Sequence, residues 1–550
     1  AAHPGLVRGA AWLCGGLGYD APMPSQRALR LFVAAAAGAA TMAGELAAVR
    51  LLAPWFGAST VVWTNVIGIV LLALSIGYLW GARLARGEHP RRVLARLLLF
   101  GGAWYAAAPH LARACAALFL PEGLALDAAA GVVHWGSLAS ACVLFLAPLV
   151  ALGAVAPLVV EWWTRDESAH AGTAGGIVLC ASTIGSLLGT FGATHWLVPS
   201  FGVVATFAGA GLVLVACGVV SAWSGRRAPA LALVLVPVLA LAAPARTGPG
   251  PRDGERVLAE VDSPLQRVRV VERAADGWRF LQVNEAFDSF QSAWKPEPGL
   301  LGGGYYYDFF ALPLMLAPRG STFRAGFIGL GAGTAWRVMQ GVRPPDVNLR
   351  GEGAEIDVAV VELARRHLDL PSDDGSLRVH AGVDGRVFLR HVEGTFDLLV
   401  VDAYQNQVEI PPHLATREFW TLCRAKLADG GWLMANVGSF GLSDPLLEAI
   451  ARAMAAGLHE EVRIWRVPFS RNAILCARRA APVPDPALVA SGSRELDARL
   501  AAIALPGMQR RISPGAADAD GLVDDRAPLE DLGQESLRRA SLVLRGEVAP

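Results

Sequence analysis

Three glycines at alternate positions, Gly329, Gly331 and Gly333, interrupt the segment RAGFIGLGAGTAW at 324–336. An apolar run precedes them and a helix-like stretch follows, which reads as strand, glycine turn and helix start. Glycine lets backbone N–H groups approach a ligand closely, and a helix N-terminus favours negative or electron-rich groups. Such a turn carries little weight alone. It gains weight from the carboxylates that follow at the ends of the next expected strands: Glu355, Asp384 and Asp402. A carboxylate at the distance of Glu355 from the turn can accept both ribose hydroxyls. Asp384 could accept from an adenine amino group, and Asp402 ends the fourth strand. A dinucleotide dehydrogenase would share the first half of this pattern. Acids at successive strand ends suit an adenosyl ligand with no second nucleotide better.

The elements that must position these groups are legible as alternating segments. Between 257 and 283 the stretches VLAEVD, QRVRVVE and WRFLQVN read as short strands of a small antiparallel sheet. From Phe323 onward strands and helices alternate: AGFIGLG then TAWRVMQG, a strand ending near Asp357 then VAVVELARRHL, LRVHAGVD, and FDLLVVDAYQ. The helix TREFWTLCRAKL and the strand WLMANV complete the series. The alternation predicts a doubly wound α/β domain on a parallel sheet, Rossmann-like, with its ligand beyond the carboxyl ends of the strands.

The half of the chain before this domain has a different character. Hydrophobic residues make up 53% of the 550 residues and charged residues 17%, and between 31 and 82 the only charged side chains are Glu45 and Arg50. Apolar runs long enough to cross a bilayer recur near 29–51, 61–82, 93–120, 131–160, 173–197 and 201–223, with a shorter seventh at 230–243 that contains Pro237. Small residues, AAAAGAA at 34–40 and STIGSLLGT at 182–190, allow close helix approach in lipid. Arg27 and Arg30, Arg83 to Arg96, and Arg226 and Arg227 mark ends expected to share the cytoplasmic side. A domain that uses a cytosolic metabolite belongs on that side too, so an even number of crossings is expected. Glu45 is read either as the structural partner of Arg50 or as the lining of a polar cavity.

The expected division is an N-terminal extension at 1–28 (Met23 opening a second possible start) and a transmembrane helical domain at 29–243 with six to eight spans. A linker follows at 244–256, a small β subdomain at 257–322, the α/β domain at 323–480 and a partly helical tail at 481–550. A cleaved signal peptide is not expected, because the first apolar run is as long as a full span. Formal net charge is zero and no basic stripe with interleaved aromatics occurs, which argues against a nucleic-acid partner. The seven cysteines are scattered without CxxC or metal-ligand spacing and read as small apolar residues, so no metal is expected.

From about 258 to 440 the chain resembles the spermidine synthase family, aminopropyltransferases with a methyltransferase-like fold. The resemblance rests on ordered motifs: Asp262-Ser263-Pro264-Leu265-Gln266, LQVNEAFDS at 281–289, YYYDFFALPL at 305–314, GLGAG, Glu355-Ile356-Asp357, Asp384-Gly385, Asp402, and PPHLATREFW at 411–420. The apolar half resembles the membrane-fused branch of that family through GELAAVRLLAPWFG at 44–57 and STIGSLLGT. The resemblance implies that Gly329, Gly331 and Gly333 cradle the adenosyl-methionine part, with Glu355 on the ribose, Asp384 on the adenine and Gln266 also in contact. Asp402 matches the catalytic aspartate that helps deprotonate the attacking amine, and Tyr404 beside it is expected at the acceptor site. Tyr305 aligns with a substrate-positioning tyrosine.

Soluble members carry acids where this chain has Ala332 and Gln405. Glu285, Asp288, Asp308 and Glu409 are the candidates to supply the missing charge. The implied activity is alkyl transfer, aminopropyl above all, from S-adenosylmethionine or its decarboxylated form to an amine or lipid-like acceptor, releasing methylthioadenosine. Methyl transfer, and a polyamine transporter or sensor with a non-catalytic adenosyl-binding domain, are the alternatives. The implied setting is a multi-pass protein of the inner cell membrane with its synthase-like domain cytoplasmic, the bilayer as partner and a homodimer as the simplest assembly.

Overall fold

A computed structural model describes residues 24–57, 59–119, 126–222, 237, 238, 240, 250–284, 290–372, 375–404, 410–515 and 521–544. Long apolar stretches form helices, which satisfy their backbone polar groups within the segment. Helix α1 covers Pro24–Phe56, α2 Thr60–Ala85 and α3 Pro90–Phe119. The first of these takes in residues 24–28, which the sequence assigned to an extension. A broken column follows: α4 (Leu126–Ala141), a π turn (Cys142–Leu146), α5 (Ala147–Gly153) and α6 (Val155–Glu167). Then come α7 (Ala171–Gly192), a second π turn (Ala193–Leu197) and α8 (Val198–Ser221). Four stretches, 26–56, 60–85, 134–167 and 171–221, are long and apolar enough to cross a membrane.

The last of these stretches folds back on itself at Gly202, whose φ of 79° leaves the helix. Glycine contacts establish the directions. Gly185 and Gly189 of α7 lie against Ala35 and Ala39 of α1, so close that a Cβ at either glycine would strike the opposing carbonyl. The order is the same on both helices, so α7 runs parallel to α1. Gly211 of α8 meets Gly102 and Ala106 of α3, while Gly218 meets Ala95 and Leu99. The order is reversed there, so α8 is antiparallel to α3. The two small-residue stretches of the sequence are thus opposing halves of one close contact. Leu71, Leu79, Leu188 and Phe191 point outward and are each more than 60% exposed, the arrangement expected of a surface that faces lipid.

One end of this bundle is rich in arginine. Arg27 and Arg30 pair with Glu167, Arg30 also with Asp166, Arg165 donates to the carbonyl of Ala85, and Arg91 donates to the carbonyl of Ser221. The other end meets the C-terminal half. Arg50 donates to the carbonyl of Ser263, Val61 N–H donates to Glu530, and Gly202 faces the carboxylate of Asp262. Between these ends, Ala240 packs with Ala106 and Ala208 midway along α3 and α8. The arginine-rich end and the α/β domain thus lie at opposite ends of the bundle, where the charge pattern had placed them together; most of the short apolar run at 230–243 lies outside the described residues.

Strands β1 (Glu255–Asp262), β2 (Arg267–Arg273), β3 (Arg279–Val283) and β4 (Ser292–Trp294) form an antiparallel sheet in sequence order. The larger sheet contains β5 (Thr322–Ile328), β6 (Asn348–Glu355), β7 (Leu377–Ala381), β8 (Phe396–Val401), β9 (Leu427–Gly438), β10 (Val462–Arg466), β11 (Asn472–Arg478) and β12 (Gln509–Ile512). Its order is β12-β10-β11-β9-β8-β5-β6-β7. The run from β9 through β8, β5 and β6 to β7 is parallel, and β10, β11 and β12 close the edge antiparallel. The segment read as a tail thus supplies an edge strand, and its helix Leu529–Leu544 packs between the domain and α4.

The α1–α7 contact yields a direct test. Gly185→Val or Gly189→Val should cost about 1–3 kcal/mol or more through overpacking. Gly192→Val, whose Cβ would meet open space, should be neutral. Thermal unfolding of the detergent-solubilised chain checks both.

Candidate active site

Strand order reverses between β5 and β8, and the groups of interest lie just past that split. Ile328 pairs with Val401 on one side and Ala354 on the other, so Gly329, Asp402 and Glu355 each follow a paired residue at the same level of the sheet. The Asp402 N–H donates to the carbonyl of Ile328 at 2.8 Å, which draws the end of β8 against the glycine turn. A Cβ at Gly329, whose φ is 78°, would lie 2.5 Å from the Asp402 carbonyl oxygen. Glycine is needed there for both conformation and space.

A cavity of about 310 Å³ opens at this edge, the size of a small-ligand site. Gly329, Gly331, Gln266, Gln291, Glu355, Asp384, Asp402, Tyr307, Tyr404 and His413 are on its wall, with Leu265, Leu281, Ile356 and Leu414 as apolar surface. Gly333, the third glycine of the turn, caps the helix Thr334–Val342 rather than lining the cavity. Among the described residues the wall holds three carboxylates and neither lysine nor arginine. Its electrostatics therefore favour a cationic ligand.

Asp402 is held by two neutral donors. Asn436 Nδ2 donates to its Oδ1 at 3.0 Å and the Tyr306 hydroxyl donates to its Oδ2 at 2.9 Å. Burial pushes its pKa up to about 6, against the lowering effect of those two bonds. Glu355 is nearly buried, with Oε2 accepting from Gly331 N–H at 2.9 Å and Oε1 from Asp357 N–H at 3.0 Å. Burial raises its pKa too. Asp384 behaves differently. Burial pulls its pKa up, but the His413 ring at 2.8 Å and the Arg386 and Val387 N–H groups outweigh it and leave the carboxyl low. The same aspartate caps the helix Gly385–His391.

Several expected residues lie elsewhere. Tyr305, expected at the substrate, lies off the cavity wall and packs against Trp278 and Phe290. Asp308 is fully buried, accepting from Leu301 and Gly302 N–H groups and from Arg499. Its charge is already matched, so it is not free for an amine. Tyr404 lines the cavity, but its hydroxyl is used by the β9 backbone, accepting from Gly438 N–H and donating to the Asn436 carbonyl. Burial raises its pKa far beyond the usual range, and the residue stands on the cavity wall beside Asp402 with its hydroxyl committed to the backbone. Ala332 is buried and gives its N–H to Ser292. Glu285, Asp288, Gln405 and Glu409 lie outside the described residues. Of the expected pairings, Arg50 turns to Ser263 rather than to Glu45.

Sequence reasoning missed Tyr306, Tyr307, Ser292 and Asn436. Three consecutive tyrosines cannot be told apart from their spacing; the 3-10 helix Tyr306–Ala311 aims Tyr306 at Asp402, while Tyr307 reaches the Gln291 carbonyl. Asn436 carried a signal, since it is a lone amide within the apolar stretch WLMANV and a buried amide needs partners. Infrared titration of the purified chain should show a carboxyl band growing as pH falls through about 6, absent in Asp402→Asn. Asn436→Ala or Tyr306→Phe, each removing a donor to the ionised form, should move that midpoint upward by roughly 1 unit.

No family model matches the chain. A probable polyamine aminopropyl transferase of Bifidobacterium longum is 26% identical over 275 residues, covering 47% of this chain and 58% of that protein. A polyamine aminopropyltransferase of Mycobacterium tuberculosis is 27% identical over 535 residues, 91% of this chain and 96% of the relative. Among solved structures, a probable spermidine synthase from Corynebacterium glutamicum aligns at 19% identity and TM-score 0.36, covering 47% of this chain and 90% of its own. The spermidine synthase of Thermotoga maritima aligns at 20% and 0.33, covering 42% and 74%. The chain thus spans a little over half of the first relative and nearly all of the second, and the second match takes in the apolar helices as well as the α/β domain. By these relatives the chain is similar in sequence to proteins named as polyamine aminopropyltransferases, and it carries an apolar helical half ahead of the α/β domain.

Proposed function

We propose that the protein transfers an aminopropyl group from decarboxylated S-adenosylmethionine to an amine acceptor and releases methylthioadenosine. The observation that carries this reading is the charge of the cavity wall: Glu355, Asp384 and Asp402 with neither lysine nor arginine among the described lining residues. A donor that keeps its carboxylate would bring an anion among anions. The decarboxylated donor brings a sulfonium and an ammonium, and the acceptor another cation. This argues for the decarboxylated form over S-adenosylmethionine itself, and for aminopropyl over methyl transfer.

In this reading the glycine turn and Glu355 hold the ribose side and Asp384 the adenine side, with Gln266 beside them. Asp402 first attracts the acceptor ammonium and then takes its proton, because a protonated amine has no lone pair to donate. The freed nitrogen attacks the propyl carbon bound to sulfur. A C–N bond forms, the C–S bond breaks, and its electron pair stays on sulfur as the neutral thioether. Tyr306 and Asn436 hold the carboxylate, and Tyr404 forms the wall. A carboxyl titrating near 6 is mostly ionised at neutral pH yet basic enough to receive a proton.

The helical half is read as embedded in a bilayer. Leu265 and Ile356, both 51% exposed and both on the cavity wall, suit an acceptor with an apolar part, including a lipid-like amine. Donor supply argues for a cytoplasmic α/β domain in the inner membrane. The arginine-rich end would then face outward, against the usual charge bias. Cysteine labelling from either side of intact cells, at single cysteines placed in the Gly87–Glu88 loop and beyond Leu544, should find the second protected and the first accessible.

Product analysis tests the chemistry. Methylthioadenosine is expected; S-adenosylhomocysteine would establish methyl transfer instead, and ligand binding without either product would favour a sensor or transporter. Asp402→Asn should lower kcat/KM by about 10²–10⁴. In the wild type, kcat/KM should fall as pH drops through about 6, because the protonated carboxyl neither attracts the ammonium nor accepts its proton.

A further inference from the structure

Arg50 sits near the end of α1, and its guanidinium leaves the bundle. Its Nη1 donates to the carbonyl of Ser263 at 2.5 Å, and it faces the carboxylates of Asp262 and Asp357. Ser263 is buried at the head of the turn that joins β1 to β2. Its hydroxyl accepts the N–H groups of Leu265 and Gln266 at 3.1 and 2.9 Å and donates to Asp357 Oδ2 at 2.7 Å. Asp357 N–H donates to Glu355 Oε1 at 3.0 Å, and Gly331 N–H donates to the other oxygen of Glu355 at 2.9 Å. A continuous series of polar contacts therefore runs from a membrane helix to the glycine turn. Gln266, Glu355 and Gly331, which close it, are all on the cavity wall.

We propose that Arg50 is a positioning residue for the donor. By fixing the Ser263 turn and balancing Asp262 and Asp357, it holds Gln266 and Glu355 in place for the nucleoside part of the ligand. The apolar half is then a structural component of the donor site as well as an anchor. A guanidinium bond to a buried carbonyl beside two carboxylates is of the strong, charge-assisted kind. Its loss leaves Asp357 and Asp262 short of a counter-charge. The inference rests on the proposed reading that the cavity holds an adenosyl donor.

The test uses the full chain in detergent or nanodiscs, with methylthioadenosine as the calorimetric probe and donor and acceptor kinetics alongside. Arg50→Gln should raise the methylthioadenosine Kd and the donor KM about tenfold, leaving kcat and the acceptor KM nearly unchanged. Arg50→Lys should recover part of the loss. Ser263→Ala, on the soluble side of the contact, should reproduce the defect even if Arg50→Gln folds poorly. The double variant should be no worse than the worse single one, since both act through one network. Glu530→Gln, which touches the other side of the joint at Val61, should change neither value. Wild-type-like binding by Arg50→Gln, or an equal loss in Glu530→Gln, would overturn the positioning role. A wild-type chain that binds no methylthioadenosine and forms no product would instead remove the proposed function on which the inference depends.

Discussion

The burial of Glu355 and Asp402 at one sheet edge, with neither lysine nor arginine among the described residues of the cavity wall, is the constraint around which this molecule is arranged. Asp402 ends a parallel strand inside the structure, where an isolated negative charge is expensive. Two neutral donors, Asn436 and Tyr306, lower that cost without removing it. The carboxyl therefore titrates near 6 and remains available to a cation. Had an arginine filled the same space, the pKa would fall and the site would be closed to an amine. Asp308, only a few residues from Tyr306, illustrates that case: Arg499 and two backbone N–H groups satisfy it and it takes no part in the cavity.

Meeting this constraint draws on distant parts of the chain. The strand reversal between β5 and β8 opens the crevice. Strand β9 brings Asn436, the short 3-10 helix brings Tyr306, and the small antiparallel sheet brings Gln291 and Ser292 against the glycine turn. A helix from the C-terminal segment locks the base of this assembly through Arg499.

The helical half follows different rules. Its helices approach through glycine and alanine, whose small side chains let the backbones come close. Its polar groups concentrate at the two ends. One end is an arginine cluster closed by Asp166 and Glu167. The other reaches the C-terminal half through Arg50 and through Glu530. The apolar helical half and the α/β half are thus joined by specific hydrogen bonds.

Much of this was legible in the sequence. Apolar runs announce helices, a glycine turn between strand and helix announces a nucleotide-type site, and acids at strand ends announce its edge. These signals are local, since they depend on periodicity and on the conformational freedom of glycine, and the chain carries both explicitly. Which of Tyr305, Tyr306 and Tyr307 reaches Asp402 was decided only in three dimensions, by the tight turn of a 3-10 helix. So were the neutralisation of Asp308 by a residue 191 positions away, the partner of Arg50, and the end of the bundle on which the α/β domain sits. Charge counting along the chain put the arginines and that domain together because it could not see that the C-terminal end of α1 is the one packed against the small sheet. Partner choice for a polar group depends on which surfaces packing brings within about 3 Å, and that distance exists only in the folded chain.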